Sequence, residues 1–223
     1  MKHKLPQTIL AILTGIAFTF FFISLAVVIV VNFRQIYYWD ISLLDLEGTY
    51  GLTVAQIRAN YDTLIDYNSP FSFGLLQFPD LPSSTEALIH FVEVKQLFMK
   101  FYLLGILSVL ALMILIPIQR RWGSNTLKRT FKISSLTVIL LPALVGLAVA
   151  LNFDTAFVIF HQIFFKNDFW LFDPSTDPII LLLPDTFFLH CAVWIVLLVL
   201  FGALSLFLIS RCLKTHETTE NFL

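Results

Sequence analysis

Charge is scarce in this chain. Asp, Glu, Lys and Arg make up 13% of its 223 residues and hydrophobic residues 58%, whereas soluble domains average about 25% charged and about 45–50% apolar. That balance points to a membrane protein, and a net charge of -1 gives no electrostatic reason to expect nucleic acid as a partner. Cysteine is nearly missing as well. Cys191 and Cys212 fall on what reads as one helix, roughly 30 Å apart, so they cannot pair within it. No CxxC, no Cys/His metal spacing and no HExxH occur, which leaves a metalloenzyme without its usual ligand pattern. A GxSxG serine elbow is also missing. Internal repeats and low-complexity tracts are absent too.

What is present begins with four long apolar runs, at about residues 9–31, 98–118, 133–151 and 187–209. Each is long enough to cross a bilayer, which takes about 20 residues. The first exceeds a signal-peptide core and has no clear A-x-A cleavage site, so it is expected to be retained. Lys2, Lys4, Arg120, Arg121, Lys128, Arg129, Lys132, Arg211 and Lys214 flank one side of these runs, which is nine of the fourteen basic residues. Thirteen of the fifteen acids lie in the two opposite loops. The positive-inside rule then sets both termini in the cytoplasm and residues 32–97 and 152–186 outside. The runs are clean apart from Pro117, Pro142, Gly105 and Gly146, and this lack of mid-membrane charge argues against transport through the bundle.

The outer loops are too apolar to be tethers. "TVAQIRANYDTLIDYN", Thr53 to Asn68, opens on a Thr-x-x-Gln capping box and keeps helical spacing until Ser69-Pro70. "FSFGLLQFPD" is short, aromatic and bounded by proline, and predicts a strand or extended segment. "SSTEALIHFVEVKQLF" opens on a Ser83-x-x-Glu86 capping box and runs unbroken into the second apolar run, so His90 sits on a helix that becomes the second span. In the second loop Asp154-Thr155 is the expected cap of a helix through "AFVIFHQIFF", apolar nearly all round and suited to the interface. Pro174, Pro178 and Pro184 then require an irregular path. The expected architecture is a single membrane domain over residues 1–223. It is an all-α integral membrane bundle of four transmembrane helices, N-in and C-in, with a small mixed α/β extracellular cap built from the two outer loops.

Two histidines stand out. His90 precedes the second span and His161 follows the third, each on a helix leading to the membrane surface. Continuous helices put each roughly 15 Å beyond the hydrocarbon edge, and tilting would lower them toward the headgroups. The plainer account of His161 is an interfacial ring packed on Phe157 and Phe165, and of His90 a solvated residue paired with Glu93 at i+3. The functional account uses the same surroundings: an imidazole among aromatic rings is held neutral and available as a base. Glu93 or Asp168 is then a candidate to fix a tautomer. His190, near the outer end of the fourth run, reads as a bundle-facing polar residue, and His3 and His216 lie in the tails.

"HFVEVKQLF" from His90, and "FHQIFFKNDFWLFDPSTDPIILLLPDTFF" from Phe160 to Phe188, together resemble the signatures of the lipoprotein intramolecular transacylase (Lit) family of low-GC Gram-positive bacteria. The likeness extends over the whole chain, including the "NFRQIYYWD" exit from the first run. It implies an acyltransferase of the bacterial plasma membrane, multi-pass, with its active site at the extracellular face. The implied substrate is a diacylated lipoprotein, whose sn-2 acyl chain moves from the S-diacylglyceryl group to the α-amino group of the same cysteine. The product is a lyso-form, N-acyl and S-monoacylglyceryl. The resemblance makes His90 and His161 the catalytic pair and implies no cofactor, metal or nucleotide. Supporting candidates are Glu93, Lys95, Phe157, Phe164, Phe165, Asn167, Asp168, Trp170 and Asp177. The competing expectation is a non-enzymatic membrane-anchored binding or sensory module with an extracellular cap, in which the histidines are replaceable. A transporter for a lipid-like solute is the third.

Overall fold

The structure, a computed structural model, describes residues 4–213. Lys2, His3, Lys214 and His216 therefore lie outside the described residues. Four long helices dominate: α1 (Lys4–Asn32), α5 (Thr85–Arg120), α6 (Ser124–Leu151) and α9 (Asp185–Cys212). Each is long and apolar enough to cross a membrane. A helix satisfies its backbone donors and acceptors internally, which is the condition for lying in lipid. Between them come α2 (Gln35–Leu43), α3 (Leu46–Tyr50), α4 (Val54–Tyr67), α7 (Phe153–Phe164) and α8 (Ile179–Leu182).

The chain divides into two compact units. The first comprises residues up to Ala26, Leu103–Val145, and residues from Val196. Its helices approach closely through small residues: a Cβ on Gly15 would meet Thr137 Oγ1 at 2.7 Å, and one on Gly202 would meet the Phe22 ring at 2.5 Å. Small residues at such contacts replace the hydrophobic driving force that lipid removes. A polar knot lies in the same unit. Gln119 is fully buried; its Nε2 donates to Thr14 Oγ1 at 2.6 Å, and its Oε1 accepts from Thr130 Oγ1. The turn from α5 to α6 passes through Gly123 at φ +99°, a conformation that favours glycine.

The second unit, Val27–Tyr102 and Gly146–Ile195, contains α2, α3, α4, α7 and α8. Its core is aromatic: Tyr37 stacks on Tyr61 with ring centroids 3.8 Å apart, Phe187 packs edge-on to both, and Tyr37 Oη donates to the Leu182 carbonyl at 2.7 Å. Arg34 pairs with Asp62 and Asp66 and so ties the start of α2 to α4. The Thr53–Gln56 capping box forms as the spacing predicts.

The expected mixed α/β cap is not found: among the described residues no strand occurs. Residues 71–80 are a turn, bends and irregular backbone, and Pro70, Pro79 and Gly74 at φ +117° deny them a regular ladder. Two caps also shift. Ser84 rather than Ser83 caps α5, accepting from Ala87 N at 3.1 Å. The job expected of Glu86 falls to Asp177, which accepts from Ser84 N at 2.6 Å from across the chain. Asn152 rather than Asp154 caps α7, accepting from Thr155 N at 2.8 Å.

Candidate active site

The histidines are carried by two elements of the second unit. His90 lies in the second turn of α5, whose start Asp177 pins. His161 lies in the last turn of α7 and is the one buried residue of that helix; Ile159, Phe160, Ile163 and Phe164 face outward. The two imidazoles meet, with ring centroids 6.0 Å apart, and both are buried, at 6% and 8% exposure. The meeting that helix heights only permitted is therefore made.

Aromatic rings enclose the pair. Phe157 and Trp170 lie against His161 at centroid distances of 4.2 and 4.6 Å, and Phe165 touches both histidines. His90 also meets Phe172 at 5.6 Å, a residue not among the sequence-based candidates. Its signal was modest, an aromatic residue two positions from Trp170 in an irregular segment. Phe164 is not part of the enclosure. It is 46% exposed and packs on Phe160.

The hydrogen bonds give the rings different states. His161 Nδ1 donates to the Phe157 carbonyl at 2.8 Å. A carbonyl only accepts, so the proton is on Nδ1 and the lone pair on Nε2. Burial pushes the His161 pKa below its ordinary value of 6.5, partly opposed by that bond. His90 is less settled. Its Nδ1 stands 3.9 Å from Glu93 Oε2, beyond hydrogen-bond distance, and both atoms are buried without a partner. Asn167 Nδ2 donates to the other Glu93 oxygen at 2.8 Å, and Asn167 Oδ1 accepts from Phe169 N. Asn167 therefore aims the Glu93 carboxylate at His90.

The remaining candidates separate. Asp168 is exposed, and its backbone carbonyl accepts from Leu171 N. Its neighbour Asn167, half-buried and bonded to Glu93, holds the position beside His90 instead. Lys95 is engaged outside the histidine pair. Its ammonium donates to the Ser72 carbonyl at 2.8 Å and lies over the Tyr67 ring. Asp177 is buried and capped by Ser84 N and Thr176 Oγ1, so it shapes α5. His190 bonds through Nδ1 to both oxygens of buried Asp40, at 2.8 and 3.0 Å. That long-range pair had no sequence signal, since its members are 150 positions apart. Among the described residues, no three metal-ligating side chains cluster.

Comparison with known proteins adds the family. The profile of the lipoprotein intramolecular transacylase Lit matches residues 12–188, a stretch that contains both histidines. The fold is similar to the in meso structure of the membrane integral lipoprotein intramolecular transacylase Lit from Bacillus cereus, with a TM-score of 0.87 and 33% identity over 93% of this chain and 95% of that one. Two variants of the Bacillus cereus protein, each with one histidine replaced, are similar as well, with TM-scores of 0.82 and 0.83 at 33% identity. They cover 93% of this chain and 91% and 93% of theirs. No curated protein sequence matches the chain. With four long apolar helices and membrane-integral relatives, this is a multi-pass membrane protein, and it belongs to the lipoprotein intramolecular transacylase Lit family.

Proposed function

We propose that the chain moves the sn-2 acyl group of an S-diacylglyceryl-cysteine lipoprotein to the α-amino group of that cysteine, with His90 and His161 dividing the proton transfers. The observation that carries the reading is the buried pair of imidazoles with His161 locked as the Nδ1-H tautomer. The neutral amine attacks the ester carbonyl, forming a carbon–nitrogen bond while the bond from that carbon to the sn-2 oxygen breaks. His161 Nε2 takes the amine proton, and that proton passes through His90 to the departing glycerol oxygen, so both rings begin and end neutral. Glu93 steadies the His90 imidazolium while that proton is held. An amide replaces an ester, so no nucleotide is needed, and no protein nucleophile either.

Attack within one lipidated cysteine closes an eight-membered ring, which forms poorly in solution; holding the reactive conformer supplies much of the rate. Phe157, Phe165, Trp170 and Phe172 are the walls that hold it and keep water from the reacting carbonyl. The spans at 9–31, 98–118, 133–151 and 187–209 belong to this proposal, as do N-in, C-in insertion and a site at the extracellular face of the bacterial plasma membrane. The distribution of basic and acidic residues supports them.

The test is expression in a cell that makes diacylated lipoproteins, followed by mass spectrometry of an N-terminal lipopeptide. An N-acyl, S-monoacylglyceryl peptide is expected, and it should disappear with His90→Gln or His161→Gln. An unchanged diacylglyceryl peptide beside well-expressed protein overturns the proposal. Conversion that survives both substitutions removes the histidines from the chemistry.

A further inference from the structure

The first unit carries a second concentration of chemistry. Asn125, Lys128, Arg129 and Lys132 recur at three- and four-residue spacing along α6 and so share one face of that helix. Phe207, Ser210 and Arg211 do the same on α9. The two faces line one cleft of about 250 Å³. Four cations thus converge on a single concavity, where they repel one another unless an anion lies between them.

No such anion comes from the described part of the unit. Its described residues include no Asp or Glu; Glu217 and Glu220 lie outside the described residues. Among the described residues none of the four cations is ion-paired. Arg129 instead donates to Thr8 Oγ1 at 3.0 Å, a neutral partner. Membrane insertion alone does not require this convergence. Arg120 and Arg121 belong to the same basic link, yet they are exposed and do not line the cleft. An apolar wall completes the picture: Phe207 belongs to the lining, and beyond it on α9 Leu204 and Leu208 are exposed. The ligand that matches is an amphiphile with an anionic head.

We propose that this cleft binds the headgroup of an anionic phospholipid, its phosphodiester among Lys128, Arg129, Lys132 and Arg211 and its acyl chains along Phe207 and the exposed side of α9. Basic pockets between transmembrane helices suit such headgroups. The site is separate from the histidine pair, which belongs to the other unit.

The experiment is native mass spectrometry of the full chain in detergent, with phosphatidylglycerol or phosphatidylcholine added at equal concentration. Phosphatidylglycerol should be retained in preference to phosphatidylcholine. Lys128→Gln with Arg211→Gln should weaken that retention about thirtyfold, or about fivefold for each cation removed. Arg120→Gln with Arg121→Gln should leave it unchanged, and Arg211→Lys should keep most of it. Circular dichroism of each variant separates loss of binding from loss of fold. Equal retention of the two lipids overturns the assignment, as does an equal loss in the Arg120/Arg121 variant. Displacement of phosphatidylglycerol by millimolar inorganic phosphate also overturns it, in favour of a site for soluble anions.

Discussion

Replacing Asn167 by alanine removes a bond that reaches the histidine pair only through Glu93. Asn167 Nδ2 donates to Glu93 Oε1 at 2.8 Å, and the other oxygen of that carboxylate faces His90 Nδ1 at 3.9 Å. A hydrogen bond to a charged group contributes about 1.5–3 kcal/mol. The Glu93 side chain is 29% exposed, so water replaces part of the lost bond, and about 1.5 kcal/mol is expected. Spent on orientation in the transition state, that lowers kcat about tenfold and leaves KM nearly unchanged. The assay is conversion of a diacylglyceryl-cysteine lipopeptide in micelles, followed by mass spectrometry under single-turnover and steady-state conditions. Two comparisons isolate the route. Asn167→Asp keeps an acceptor for Phe169 N but sets one carboxylate against another, so it should lose at least as much activity as alanine; a turn-shaping role predicts rescue instead. Asn167→Ala combined with Glu93→Gln should be no slower than Glu93→Gln alone. Full activity in Asn167→Ala, or losses that multiply in the double variant, refutes the reasoning.

Three further outcomes follow from the same geometry. By NMR of labelled histidine, His161 should titrate with a midpoint below 6.5, and Trp170→Ala, which admits water to the ring, should move it upward; because the fold favours the neutral ring, this contribution to stability is complete above pH 6.5 and is lost as pH falls through the lowered folded pKa. His190→Leu strands the Asp40 carboxylate, which is 3% exposed, and should cost about 3 kcal/mol, the low end for a broken buried pair because the His190 side chain is 32% exposed, read as a fall in Tm of roughly 6–12 °C in detergent, while leaving lipoprotein conversion intact at permissive temperature. Gln119→Leu unties the knot with Thr14 and Thr130 and should cost about 1 kcal/mol, since polar contacts between membrane helices contribute about 0.6–1.7 kcal/mol; an unchanged Tm would show that the threonines re-pair within their own helices.

What the sequence disclosed and what it withheld divide along contact range. The Thr53 capping box was legible because its partners are three residues apart, and the four long helices because apolar length is a property of the run itself. His90 and His161 were legible as chemically unusual residues in apolar surroundings, although only the fold brings their rings together. Some misplaced features depend on distant partners, whereas the Asn152 cap of α7 is a local pattern with its partner three residues away. Ser83 looked like the cap of α5 because Ser-x-x-Glu is a local pattern, but Asp177 takes the backbone N–H of Ser84 and moves the helix start by one residue. Residues 71–80, expected as a strand or extended segment, had suitable side chains but among the described residues no strand to pair with, and a pattern cannot reveal a missing partner. Asp168 drew attention as a titratable group beside an amide, yet the turn at residues 167–169 aims the amide inward. For Ser83 and Asp168 a side chain of the second loop decides the outcome at α5. Asn167 grips Glu93 and Asp177 grips Ser84, so the helix carrying His90 is held at two points nine residues apart by one segment. Between those grips the same segment supplies Trp170 and Phe172 to the enclosure. The ring that shelters the histidines and the bonds that aim one of them therefore share a single stretch of chain, and under the proposed reaction a change in that stretch is expected to act on binding and proton transfer together.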